Sequence, residues 1–144
     1  MIERRQVTDA VAALLSTGTG KPCGVGSLPV AAGTPATPPY TVLYSLPLTL
    51  DGAPLTDLCE DAFTVYQVSC IARSHAQAEW LADLVRAAVL ARDPALGEWR
   101  WELKVPGWLC WLRELDSDAG IDADPGAAIV SYVIRFRLGW TLAG

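Results

Sequence analysis

Residues Phe63 to Arg92 constrain the fold most, because two kinds of periodicity meet there without a break. Phe63 to Ala72 is rich in β-branched and aromatic side chains and holds neither Gly nor Pro, which predicts a strand. Tyr66, Val68, Cys70 and Ala72 share one alternate face; Phe63, Val65, Gln67, Ser69 and Ile71 share the other. Ser74-His75-Ala76-Gln77 then reads as a capping box. The Ser74 side chain accepts from a free N–H of the first turn, and Gln77 reaches back to the Ser74 N–H. Trp80, Leu81, Leu84, Val85, Ala88 and Val89 follow at helical spacing, opposite Glu79, Asp83 and Arg86. Asp93-Pro94 ends this helix, since the residue before Pro is driven out of the α region.

The rest of the chain arranges itself around that unit. Residues 2–17 predict a first helix with Val7, Val11, Leu14 and Leu15 as its apolar stripe, stopped by Gly18 and Gly20. Five Gly and five Pro between Gly18 and Pro39 predict a long loop with a short extended piece around Val25 to Val30. Tyr40 to Leu50 reads as extended, with Pro47 demoting its second half to an edge or bulge. An acidic loop with Asp51, Asp57, Glu60 and Asp61 leads into the central strand.

Beyond the second helix, Trp99, Trp101, Leu103 and Val105 alternate with Glu98, Arg100, Glu102 and Lys104, predicting a strand that turns at Pro106-Gly107. Trp108 to Leu115 is apolar on both faces, as expected of a central or interface strand. Asp116 to Gly126 reads as a second acidic loop, with Asp116, Asp118, Asp122 and Asp124. Ala128 to Thr141 alternates longest of all, with Arg135 and Arg137 on its less apolar face. This order predicts a single α+β domain over 1–144: a two-layer sandwich of a mostly antiparallel sheet of about four to five strands, with two helices on one face.

Charge and cysteine usage narrow the function classes. A net charge of −5 with scattered Lys and Arg argues against dense phosphate binding. A charged fraction of 19% lies below the usual quarter or so, as in a subunit that buries part of its surface on neighbours. Cys23, Cys59, Cys70 and Cys110 lack metal-ligand spacing, and the chain has one His, so zinc is not expected and the thiols read as reduced. No signal peptide and no long apolar run is legible, so a soluble, non-exported protein is expected.

Motifs with chemical meaning are few. Gly18-Thr19-Gly20-Lys21-Pro22 lacks the upstream Gly and the following Ser or Thr of a phosphate loop, and reads as a helix end. The acidic 116–126 loop lacks the order and closing Glu of a calcium-binding EF-hand loop. Trp80, Trp99, Trp101, Trp108, Trp111 and Trp140 fall at core-type positions with few basic residues interleaved as base stacking would require, so core and subunit-interface packing is expected. His75 with a cysteine remains the one conceivable catalytic pair, and would make the chain a small Cys/His enzyme.

Val65 to Arg86 is similar to the strand–helix segment of tail terminator proteins of long, non-contractile-tailed phages of actinobacteria. Lys21 to Gly26, Pro106-Gly107-Trp108 and Tyr132 to Leu138 resemble further segments of that family, in the same order. The resemblance implies a structural virion protein of the tail and neck, without enzyme activity or cofactor, assembled in the host bacterial cytoplasm. It implies a homo-hexameric ring that caps the tail tube, stops its polymerisation and joins it to the head–tail connector or stopper. DNA only passes through the lumen, and no membrane is involved. Six copies at −5 would give the ring a charge of about −30, suited to letting DNA slide. Other neck components, a connector subunit or a stopper, are the alternative. Candidate contacts with neighbouring copies, tube or connector are Lys21, Asp51, Asp57, Glu60, Asp61, Trp111, Asp116, Asp118, Asp122, Asp124, Arg135 and Arg137. The two arginines either pair with acidic residues of a neighbouring copy or are ordinary solvent-facing charges.

Overall fold

The computed structural model describes residues 2–46, 62–122 and 128–143. The predicted second half of the extended run after Tyr40, the acidic loop 51–61, Cys59 and the end of the second acidic loop lie outside them.

Helix α1 spans Arg4–Thr19 and ends on Gly20, whose φ of 70° places its N–H on the Ser16 carbonyl oxygen. Gly18 therefore does not stop the helix. It lies inside it, where a Cβ would meet the Cβ of Ala88 at 2.4 Å, so its missing side chain is what lets two helices touch. Helix α2 spans His75–Leu90 and is capped by Ser74, whose hydroxyl accepts from the Gln77 N–H at 3.1 Å. The Gln77 side chain reaches one residue further back than predicted, accepting from the Arg73 N–H at 2.9 Å. The helix also ends before Asp93-Pro94, because residues 91–100 close a turn of their own. Asp93 N–H bonds Glu98 O at 2.7 Å and Arg100 N–H bonds Ala91 O at 2.9 Å.

The strands are β1 (Cys23–Val25), β2 (Val30–Ala31), β3 (Thr34–Pro35), β4 (Tyr40–Leu46), β5 (Ala62–Ala72), β6 (Trp108–Asp122) and β7 (Val130–Leu142). Five of them form one sheet in the order β1-β4-β5-β7-β6, antiparallel except for the β1–β4 pair, while β2 and β3 make a separate hairpin. The fold is thus α+β, with both helices packed on one sheet face. The expected inner face of β5 is the buried one: Tyr66, Val68, Cys70 and Ala72 are fully covered. Across the β5–β7 ladder Tyr66 faces Phe136 and Val68 faces Ile134, both buried, and α1 and α2 close this layer with Val7, Val11, Leu15, Leu81 and Val85. Burying such side chains contributes roughly 1.5–3 kcal/mol each before the entropy of ordering is counted.

Three expectations are corrected. The alternation of 98–105 is real in burial, with Leu103 and Val105 buried between exposed neighbours, but the segment forms no ladder. It touches strand geometry only through the bridges Arg92–Trp99 and Val105–Trp108 and lies over the open end of the core. Strand β6 is an edge of the sheet, not its centre. It also runs on through Asp116 to Asp122, which were expected as a loop. Its register slips at Cys110/Leu112, Leu115/Ser117 and Asp118/Gly120, and each slip inserts a residue that breaks the period-two pattern. The tryptophans divide by burial, with Trp101 and Trp108 packed partly buried against the core. Trp140 is fully buried, whereas Trp80 and Trp111 are 45% and 49% exposed.

Candidate assembly surface

With both helices on one face, the opposite face of the sheet carries the residues to be tested for function. Its side chains follow from register: Tyr44, Val65, Gln67, Arg135 and Arg137 share it with Phe63 and Gly139. Trp111 joins them by alternation from Leu109, which pairs with Thr141, just before the first β6 bulge. Its ring packs edge-on against Phe63, centroids 5.9 Å apart at 71°, and lies over Gly139, where a Cβ would meet it at 3.0 Å. A Cβ at Gly139 would also meet the Leu112 Cβ at 2.9 Å, so glycine there makes room for both β6 side chains.

Arg137 stacks its guanidinium 4.3 Å from the Phe63 ring centre and donates to Glu114 at 3.5 Å, and Arg135 donates to Gln67 Oε1 at 3.2 Å. Inside the chain the two arginines thus have Glu114 and Gln67 as partners. Both contacts are solvent-exposed, worth about 0–1 kcal/mol, and easily exchanged. At the opposite corner the same face is covered: Ser27 to Pro29 fold back across Gly24, where a Cβ would meet Ser27 O at 2.1 Å.

The remaining predicted contact residues scatter. Lys21 sits beside β1 with its ammonium 5.7 Å from the Trp80 ring centre. Asp116 and Asp122 are exposed on β6. Asp118 is engaged internally, accepting from Arg86 at 3.0 Å, while Arg86 also donates to Tyr132 and Asp83. That network ties the far half of β6 to α2. Asp51, Asp57, Glu60, Asp61 and Asp124 lie outside the described residues. So the structure brings Trp111, Arg135 and Arg137 into one patch and leaves Lys21 at the other side of the sheet.

Sequence reasoning missed Arg113, which is only 6% exposed. The bulge at Trp111 turns it inward, where Nη1 donates to Val89 O at 3.2 Å and Nε has no partner. Its guanidinium lies 4.7 Å from the Trp99 ring centre, and that ring also carries Arg92 at 4.0 Å. Burial lowers the pKa of Arg113. One indole thus pins the 91–100 turn against β6. The only signal for this in the sequence is a charge inside an apolar run.

His75, 70% exposed, pairs through Nδ1 with Glu79 at 3.1 Å. Burial pushes the Cys70 thiol up to about 12 and raises Cys23 and Cys110 as well, so these sulfurs hold their protons. Cys70 binds its proton more tightly folded than unfolded. Its contribution to stability is therefore intact below the ordinary thiol value of 9.0 and is lost progressively as pH rises from there to about 12. Urea midpoints are expected to fall across that window, and Cys70→Ala is expected to flatten the fall; an unchanged slope in the variant would refute the assignment.

Among the described residues, no group of three His, Cys, Asp or Glu is placed to hold a metal ion, and no helix is long and apolar enough to cross a membrane. A groove of about 350 Å³ between α1 and the 101–104 segment is lined by Ala10, Ala13, Leu14 and Trp101. No family model matches the chain, and no curated protein matches it in sequence.

Proposed function

We propose that the chain is a structural subunit of a phage tail, a tail terminator that forms a ring on the finished tail tube and joins it to the connector. One observation carries the reading. On the sheet face opposite the helices Phe63, Trp111 and Arg137 meet, and Leu109 and Trp111 stand 57% and 49% exposed along its long edge strand. Apolar area of this kind, rimmed by charge, marks a surface made to be covered by protein. The similarity of Val65 to Arg86 to the terminator strand–helix segment supports the same reading, since these residues supply β5 and α2, the middle of the scaffold. The role is mechanical: the core holds the sheet rigid, and the bare face and edges meet neighbours.

Removing the gene is the direct test. Electron microscopy of the lysate is expected to show capsids together with tails of uncontrolled length. Tails of normal length beside leaking heads would assign the chain to a stopper instead and overturn the terminator reading.

A further inference from the structure

Along β7, residues 135, 137 and 139 stand on the sheet face opposite the helices at successive alternate positions, roughly 7 Å apart. The first two are Arg135 and Arg137. The third, Gly139, has no side chain, and the Trp111 ring lies over its place with Phe63 beside it. Two cations are therefore followed by an aromatic shelf, all within roughly 14 Å of strand.

Both guanidiniums are held in position, Arg137 by the Phe63 ring and Arg135 by the Gln67 side chain. Among the described residues they have one carboxylate partner between them, Glu114, 3.5 Å from Arg137. Their neighbours across the ladders, Val65, Gln67 and Ser117, are uncharged. The face thus carries a positive spot on a chain whose net charge is −5.

We propose that this face binds an extended acidic segment of another protein, with carboxylates two residues apart on Arg135 and Arg137 and an apolar side chain two residues further on, against Trp111 and Phe63. An extended chain repeats its side chains at the spacing of β7, so the three contacts fall into step. Arginine suits the task, because its planar fork matches a carboxylate. The inference rests on the reading that this face is covered by protein and states the chemistry of what covers it. A second copy of this chain fits less well. Among the described residues, acids two apart occur only as Glu114 with Asp116 and Asp116 with Asp118. Glu114 is already engaged by Arg137 of its own chain, and Asp118 by Arg86. A nucleic-acid backbone fits less well again, since two arginines beside a glutamate do not neutralise a row of phosphates.

Replacing Arg135→Lys and Arg137→Lys together keeps both charges and supplies amines that a carbodiimide joins to carboxylates in direct contact. The purified variant is treated in the presence of purified tail tubes and, separately, of purified connectors, and mass spectrometry reads the joined peptides. Both positions are expected to be linked to acidic residues two apart in one segment of the tube or connector protein. Links to another copy of this chain, or to scattered carboxylates, would overturn the proposal. The reversal Arg135→Glu with Arg137→Glu is the second variant. Both side chains reach solvent, so the fold is expected to persist, which circular dichroism and the urea midpoint check. It is expected to bind tubes or connectors about tenfold more weakly, and the binding that remains is expected to lose its sensitivity to salt. A reversed variant that binds as wild type does would remove the acidic segment while leaving the terminator reading in place. Wild type that binds neither tube nor connector would remove both. An oligonucleotide that binds wild type and not the reversed variant would assign the face to phosphates and overturn the proposal.

Discussion

Trp140→Ala is expected to lower folding stability by about 3–5 kcal/mol, the range for removing a large aromatic from a core. Trp140 is fully buried on the helix-facing side of β7, and its Nε1–H donates to the Thr64 hydroxyl at 3.0 Å. The substitution opens a cavity between the sheet and its helices and strands the Thr64 hydroxyl, itself 5% exposed. Domains of this kind hold roughly 5–15 kcal/mol in total, so the variant should approach the edge of folding. Trp140→Phe keeps most of the ring volume and loses only the hydrogen bond, so it should cost markedly less. Urea denaturation of both variants checks this. Equal losses would mean that the hydrogen bond and not the packing dominates, and a loss under about 1 kcal/mol for alanine would contradict the burial altogether.

Gly18→Val is the second large effect. In an isolated helix, replacing Gly by Ala gains about 1 kcal/mol, because Gly is the more flexible residue in the unfolded chain. Here a Cβ would stand 2.4 Å from the Ala88 Cβ and 3.1 Å from its Cα, closer than atoms pack, so α1 and α2 must move apart. The sign of Gly18→Ala thus separates propensity from packing: a loss is expected. Valine should deepen it to about 1–3 kcal/mol or more. Pairing Gly18→Ala with Ala88→Gly transfers the methyl from one helix to the other and should recover part of the loss in a double-mutant cycle. A Gly18→Ala variant more stable than wild type would show that the helices do not need this approach.

Most of the scaffold was legible before any coordinates because its signals are local. The alternation of Tyr66, Val68 and Cys70 survives as the buried face of β5, and Ser74 caps α2 as its spacing suggests. Where a signal depended on what lies beside the segment, it failed. Residues 98–105 alternate because one side faces apolar groups, and burial alone imposes that pattern without any ladder. Asp116 to Asp122 looked like a loop because acidic residues and Gly120 suggest turns. They are strand because β7 offers partners out to Ser131 and because Arg86 satisfies Asp118. Trp80 falls on the helical stripe by number, yet it points beyond the edge of the packed layer toward Lys21.

The candidate surface was the least legible part. Arg135, Arg137 and Trp111 were singled out from alternation and apolar crowding, but their meeting with Phe63 over Gly139 joins residues far apart in the chain. A bulge that no period reveals, just after Trp111, is what buries Arg113.

What the sequence alone determined is the strand–helix unit from Phe63 to Leu90, the long last strand and the α+β class. Backbone propensity, side-chain alternation and capping act over a few residues and need no partner to be read. Only the tertiary structure decided strand order, the edge position of β6 and the bare face opposite the helices. Those are consequences of which surfaces find one another, and a linear pattern carries the surfaces without the meeting.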